Sequence, residues 1–208
     1  MAIEAILFDL GKVLIDFSLD STVRQLTSCS ATPAEFERVF RAPDLARRYE
    51  TGVITTREFY DHLCRFGGLH MEVDAFRAAW TSMFKPGTLV SEDLLASLGR
   101  RYPLILVSNT NEAHAEFIAE KYRVFEYFAH KVFSFEVGSL KPEARIFEHA
   151  IAVSGKKPEA LFFTDDREEN VQGARAFGIE AHRFRCEADL IRALNDAGVD
   201  VGISSSRR

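Results

Sequence analysis

Short apolar runs that stop abruptly at polar residues constrain this chain more than any other feature. Glu4-Ala5-Ile6-Leu7-Phe8-Asp9 is apolar until it meets a carboxylate, with Gly11 just beyond. Leu104-Ile105-Leu106-Val107 ends at Ser108-Asn109-Thr110-Asn111. Lys131-Val132-Phe133-Ser134-Phe135 ends near Gly138, and Leu161-Phe162-Phe163-Thr164 ends at Asp165-Asp166. Apolar runs of this length, bounded by breakers, read as strands buried on both faces of a parallel sheet. Residues 180–184 form a weaker fifth run. Helical patterns separate the runs: 91–102 with Ser91 as N-cap, 111–122, 142–154, 168–177 and 188–197. Pro142 at a start, and Gly155, Gly178 and Gly198 just past ends, follow the usual helix asymmetry. Strands alternating with helices predict an α/β fold of three layers, a doubly wound parallel sheet with helices on both faces.

Residues 17–85 break that alternation. The stretches 18–29, 33–41, 55–66 and 73–84 all read as amphipathic helices, with no strand pattern between them. Asp74, Phe76, Ala79, Trp80 and Met83 illustrate the spacing. The expected organisation is an α/β core from 1–16 and 86–200, an inserted all-helical cap over 17–85, and a disordered tail at 201–208. A chain of 208 residues is long enough to bury a sizeable core. Its longest apolar run, four residues, excludes a membrane-spanning helix and a secretory leader. A net charge of -5 argues against an electrostatic nucleic-acid binder. Cys29, Cys64 and Cys186 lie far apart, which fits a reducing cytoplasm better than a disulfide framework or a zinc module.

In open α/β sheets, ligands bind outside the carboxyl ends of the strands. Those ends carry Asp9, Gly11-Lys12, Ser108-Asn109, Lys141 and Asp165-Asp166. Singly, each has an ordinary reading: a turn, a helix cap, a solvated lysine, a dipole-capping acid. Together they bring three carboxylates, a hydroxyl and an ammonium to one rim. Carboxylates so close need a cation, and oxygen ligands without His or Cys favour a hard ion such as Mg²⁺. A metal beside lysine and a hydroxyl makes a phosphate site. A carboxylate held there can attack phosphorus and form an aspartyl phosphate.

With these residues the chain resembles the haloacid dehalogenase (HAD) superfamily. Its first motif is similar to Phe8-Asp9-Leu10-Gly11-Lys12-Val13-Leu14, and its second to Leu106-Val107-Ser108-Asn109-Thr110. Its third is similar to Ser139-Leu140-Lys141-Pro142 running into Glu143-Ala144-Arg145-Ile146-Phe147, and its fourth to Phe162-Phe163-Thr164-Asp165-Asp166 with Asn170 downstream. The helical insert resembles the cap between the first and second motifs, with Arg48-Tyr49-Glu50-Thr51-Gly52 as a turn in it. The resemblance implies a Rossmann-like core and a Mg²⁺ cofactor. Asp9 would be nucleophile and metal ligand, and Gly11 would offer its backbone carbonyl to the metal. Ser108 and the Asn109 backbone would hold phosphate oxygens, and Lys141 would neutralise phosphate and nucleophile. Asp166 would bind the metal directly, Asp165 directly or through water, and Asn170 would stand behind them.

Gly11 departs from the pattern, because most HAD phosphatases carry there a second Asp that protonates the leaving alcohol. Glycine cannot, at a typical cost on the order of 10²–10⁴ in rate. A group of HAD proteins similar to α-D-glucose-1-phosphate phosphatase shares the glycine, together with Ser-Asn-Thr-Asn and Lys-Pro-Glu-Ala-Arg-Ile; Lys12 stands where that group has Asn. The expected activity is therefore hydrolysis of a small phosphorylated metabolite, a sugar phosphate such as glucose 1-phosphate, by a monomer or homodimer. Asp16 or a cap carboxylate could supply the missing proton, although Asp16 also reads as a polar hinge. Arg47, Arg48, Lys85 and Arg167 are weaker candidates for substrate contacts. Two alternatives stay open: a phospho-ligand binding protein without turnover, and a metal-independent 2-haloacid dehalogenase.

Overall fold

Five parallel strands form one sheet in the order β3-β2-β1-β4-β5. They are β1 (Ala5–Phe8), β2 (Leu104–Ser108), β3 (His130–Phe133), β4 (Leu161–Asp165) and β5 (Glu180–Arg183). The computed structural model describes residues 2–202. Phe8 pairs with Leu106 on one side and Thr164 on the other, so Asp9, Val107 and Asp165 come level at the strand ends. The chain runs outward from β1 through β2 to β3, then crosses back to β4. That reversal beside β1 is the switch point where such sheets bind ligands.

Successive residues of a strand point to opposite faces, and the core divides accordingly. Ile6, Phe8, Leu104, Leu106 and Phe162 pack on α6 (Glu92–Gly99), α7 (Glu112–Lys121) and α11 (Glu187–Asp196). Ala5, Leu7, Ile105, Val107 and Phe163 pack on α9 (Ala144–Ser154) and α10 (Glu168–Ala176). The three layers are those expected. Helix starts follow side-chain chemistry: Ser91 accepts from the Leu94 amide and Asn111 from the His114 amide. Gly155 closes α9 in the left-handed conformation, with φ 62°.

Between β1 and α6 lie five helices: α1 (Leu19–Ser28), α2 (Pro33–Phe40), α3 (Pro43–Glu50), α4 (Thr56–Gly67) and α5 (Val73–Thr81). They form the cap and enclose a cluster of their own, rich in aromatic rings: Phe36, Phe40, Tyr49, Phe59, Phe76 and Trp80. A capping box between Thr55 and Glu58 starts α4, and Gly68 ends it with φ 63°. The two crossings between cap and sheet run side by side. Ser18 donates to the Met83 carbonyl and Lys85 to the Asp16 carbonyl, both at 2.9 Å.

Four expectations are corrected. The sequence read 48–52 as a turn, but residues up to Glu50 belong to α3. Only Leu45 and Tyr49 of its eight residues are buried, too sparse a stripe for periodicity to reveal. Ser134 and Phe135 leave the sheet and enter a short helix, α8 (Ser134–Val137). Pro142 precedes α9 rather than starting it, since Glu143 is the N-cap. At the carboxyl end Val201 is buried, and Ser97 Oγ donates to its carbonyl at 2.8 Å. The rest of the expected tail, 203–208, lies outside the described residues.

Candidate active site

The strand ends converge on Lys141. Its Nζ donates to Asp9 Oδ1 at 2.6 Å, to Asp165 Oδ2 at 2.7 Å and to the Val107 carbonyl at 2.7 Å. The side chain is 1% exposed. Burial works to deprotonate it, but the charges and hydrogen bonds of Asp165 and Asp9 prevail and its pKa is raised. A lysine with three partners at this depth is an ammonium ion.

Asn109 fixes the backbone that carries Lys141. Its side-chain amide pairs reciprocally with Lys141: the Lys141 amide donates to Oδ1 at 2.7 Å, and Nδ2 donates to the Lys141 carbonyl at 2.9 Å. Glu143 braces the same loop by accepting from Ser139 Oγ at 2.9 Å and from the Leu140 amide at 3.3 Å. The third strand end is equally committed. Asp165 accepts from Asn170 Nδ2, from the Arg167 amide at 2.9 Å and from Lys141. It is wholly buried.

Carboxylate oxygens of Asp9, Asp165 and Asp166 lie within 4.8 Å of one another. Three carboxylates face one ammonium, which leaves the cluster two negative charges in excess when all three are ionised. Burial pushes the Asp9 carboxyl up; Lys141 pulls it down and Asp165 adds to the rise. Burial, then Asp165, raises Asp166. A divalent cation would cancel that excess, and an all-oxygen donor set suits a hard one. Asn170 Oδ1 is buried without a hydrogen-bond partner among the described residues. It lines the cleft and offers an acceptor to a cation's water. The residues present therefore fit magnesium.

The cleft itself, about 210 Å³, is walled by Asp9, Gly11, Lys12, Phe17, Glu50, Asn109, Lys141, Asp166, Arg167 and Asn170. Ser108 is buried at the end of β2, in the wall of an adjoining cavity with Gly11 and Asn109. Asp165 sits behind the cleft rather than in its wall. Arg167 alone of the four basic candidates reaches it. Arg47 pairs with Glu143, Arg48 lies 4.0 Å from Asp44, and Lys85 binds Asp16.

Asp16 stands at the cap crossing. It accepts from Lys12 at 2.6 Å and from Lys85 at 2.7 Å, and these bonds hold its carboxyl down at about 2. A group so firmly ionised is a poor proton donor. The geometry favours its hinge reading. Phe17, the next residue, answers a different question. A Cβ at Gly11 would come within 2.8 Å of the Phe17 ring. Glycine at 11 and phenylalanine at 17 are thus one packing solution, which residue-by-residue reading did not reveal. Glu50 was also missed, because its helix was read as a turn.

A family model described as haloacid dehalogenase-like hydrolase matches residues 3–178. The chain belongs to that family. The HAD fold accounts for the strand order, and the cap for the five helices after β1. A D-ribitol-5-phosphate phosphatase of Bacteroides thetaiotaomicron is 25% identical over 194 residues, covering 90% of this chain and 94% of the relative. A HAD family enzyme of the same organism, solved with magnesium and inorganic phosphate, is 29% identical with a TM-score of 0.79, covering 89% of this chain and 96% of that one. A predicted HAD-like hydrolase of Porphyromonas gingivalis is 25% identical with a TM-score of 0.79, covering 96% and 100%. The L-2-haloacid dehalogenase of Xanthobacter autotrophicus, 16% identical with a TM-score of 0.61 over 95% of this chain and 84% of that one, shares the fold.

Proposed function

We propose that this HAD hydrolase is a magnesium-dependent phosphatase that hydrolyses a sugar or sugar-alcohol phosphate through an aspartyl phosphate on Asp9. The observation that carries this reading is the charge imbalance of one cluster: the carboxylates of Asp9, Asp165 and Asp166 around the single buried ammonium of Lys141. The relative that acts on D-ribitol 5-phosphate, and the neighbour holding magnesium with phosphate, support it. Likeness to dehalogenases carries the fold alone, and the acidic excess would be costly in an enzyme that used no cation.

Asp9, the Gly11 carbonyl and Asp166 would hold the metal, with Asp165 behind them. When bound, the metal neutralises the carboxylates and draws in a phosphate dianion. The chain's own groups do the rest. Lys141 holds Asp9 by Oδ1 in the wall of the cleft. It also offsets charge on the phosphate during attack. Ser108 and the Asn109 backbone bind phosphate oxygens. Asp165 and Asn170 keep Lys141 aimed. The cap over 17–85, hinged where 16–18 and 83–85 run together, covers the cleft and excludes water. The free cysteines, half-buried Cys29 and Cys64 and exposed Cys186, suit a cytoplasmic enzyme.

Phosphate release across a panel of phosphorylated metabolites tests the reading. We expect release that requires Mg²⁺ and falls at least about 10⁴-fold in Asp9→Asn, as removal of a nucleophile does. Tight binding of esters without release would assign the site to a binding protein instead.

A further inference from the structure

An alcohol leaves phosphorus poorly unless it is given a proton, and position 11 holds no acid. The ring of Phe17 occupies the space that a side chain there would need. Resting on the phosphatase reading above, we propose that Glu50, on the docked end of α3, donates that proton and then takes one from the attacking water.

Elimination supports the choice. Among the ionisable side chains of the cleft wall, Asp9 and Asp166 are needed by nucleophile and metal. Lys141 is bound between two carboxylates. Lys12 is committed to Asp16, and Arg167 to Glu169. Glu50 remains, and its carboxylate has no hydrogen-bond or ion-pair partner among the described residues.

Position supports it too. Glu50 borders the catalytic cleft and two cavities that run beneath the cap. One is lined by Gly11, Ser108 and Trp80; the other, of about 320 Å³, by Phe40, Tyr49, Phe59 and Trp80. An ester whose phosphorus faces Asp9 and whose organic part enters either cavity places its bridging oxygen beside this wall.

The segment is also held to the core. Ser134 Oγ donates to the Glu50 carbonyl at 2.7 Å and accepts from the Thr110 amide at 2.9 Å, one residue past Asn109. Gly52 has φ 69°, and a Cβ there would lie 2.1 Å from the Phe135 carbonyl, so the turn can seat only as glycine. Arg47 pairs with Glu143 of the Lys141 loop. Burial raises the Glu50 pKa against the opposing charge of Arg167. The other charged or titratable groups around these cavities are Asp9, Lys12, Lys141, Asp166, Arg41, Tyr49 and His114.

The chemistry balances. Asp9 attacks phosphorus; the bond to the leaving oxygen breaks, and its electron pair takes the Glu50 proton. Water then attacks the aspartyl phosphate and gives a proton to Glu50. The bond from phosphorus to Asp9 breaks, freeing phosphate and restoring both carboxyl groups to their starting states.

The test compares p-nitrophenyl phosphate, whose phenolate leaves unaided, with the alkyl phosphate the wild type cleaves best. In Glu50→Gln we expect kcat/KM, which reports phosphoryl transfer to Asp9 and not the later attack of water, to fall about 10²–10³-fold on the alkyl ester and to change within about fivefold on the nitrophenyl ester. The alkaline limb of the alkyl pH profile should vanish. Binding of inorganic phosphate with Mg²⁺, measured by calorimetry, should be unchanged. Glu50→Asp, which keeps the carboxyl, should recover part of the alkyl rate, and keeps the comparison open if the Gln variant does not fold. Equal losses of kcat/KM on both esters, loss of phosphate binding, or a fully active Glu50→Gln would overturn the proposal and leave the phosphatase reading standing. A wild type that cleaves the nitrophenyl ester alone would do the same. A wild type that cleaves neither would remove both.

Discussion

The rim of the sheet and the seam between cap and core are built from opposite materials. On the rim, Lys141 and Asp165 are almost wholly buried and joined by a charged hydrogen bond of 2.7 Å. On the seam, the ion pairs are exposed, Arg47 and Glu143 by 54% and 39%, Arg77 and Glu116 by 45% and 57%, and the hydroxyls of Ser134 and Thr56 with a few aromatic contacts add to the join. Exposed ion pairs contribute roughly 0–1 kcal/mol. A buried pair that loses one partner costs several times more. The rim is therefore a fixed instrument, set before substrate arrives. The seam is cheap to open, as an enzyme must be if its cap admits substrate and releases product.

Removing Lys141 should break the rim hardest. Lys141→Met leaves buried Asp9 and Asp165, with half-buried Asp166, together without a cation. We expect a loss of about 3–5 kcal/mol in urea unfolding without metal. Saturating Mg²⁺ should restore part of it, by about 2.7 kcal/mol at a hundred times its Kd. Arg47→Ala on the seam should cost less than about 1 kcal/mol. Equal costs for the two variants would erase the contrast.

The same contrast explains what the sequence disclosed. Rim residues sit one or two positions past an apolar run, so the run announces the strand and the next residue announces the site. Asp9, Ser108 and Asp165 are legible in this way. Lys141 is less so, because the loop that carries it is placed by Asn109, 32 residues away. Seam residues have no such marker. Glu50 ends a helix with two buried side chains, and its place in the cleft depends on Ser134, which reads as strand by pattern and is helix in fact. Phe17 reads as ordinary packing until its distance to Gly11 is known. Long-range complementarity of this kind leaves no periodic trace.

Acid should sharpen the comparison from the seam's side. His114, on α7, stacks on the Trp80 ring of the cap at 4.8 Å, with Phe84 edge-on at 5.0 Å. Burial holds its pKa down to about 4, against the pull of the Trp80 carbonyl, from an ordinary 6.5. A base with a depressed folded pKa contributes its stability above the unfolded value and loses it as pH falls. Between pH 6.5 and 4 the unfolded chain takes up a proton that the folded one refuses. The cost is at most about 1.4 kcal/mol per pH unit, and on the order of 3 kcal/mol in all. Asp9 and Asp166, raised by burial, act with the opposite sign in any variant. The difference between wild type and His114→Gln therefore isolates the histidine. Unfolding followed by the fluorescence of Trp80, the chain's one tryptophan, should show that difference shrinking as pH falls from 7.5 to 5. A constant difference would detach His114 from the seam.

A coupling between residues lies where rim and seam meet. Gly11 belongs to the first strand end and Phe17 to the cap crossing, and the ring leaves no room for a Cβ. Gly11→Ala should destabilise by about 1–3 kcal/mol through overpacking. Phe17→Leu withdraws the ring edge, so the double variant should recover much of that loss, with a coupling of at least about 0.5 kcal/mol in a double-mutant cycle. Coupling of this sign means that an acid at position 11 and an aromatic at position 17 exclude each other. A chain that keeps Phe17 must then find its proton donor elsewhere. Additive effects would mean that the space over Gly11 opens without penalty. The absence of a side chain there would then owe nothing to the cap, and the case for a donor carried on the cap would rest on Glu50 alone.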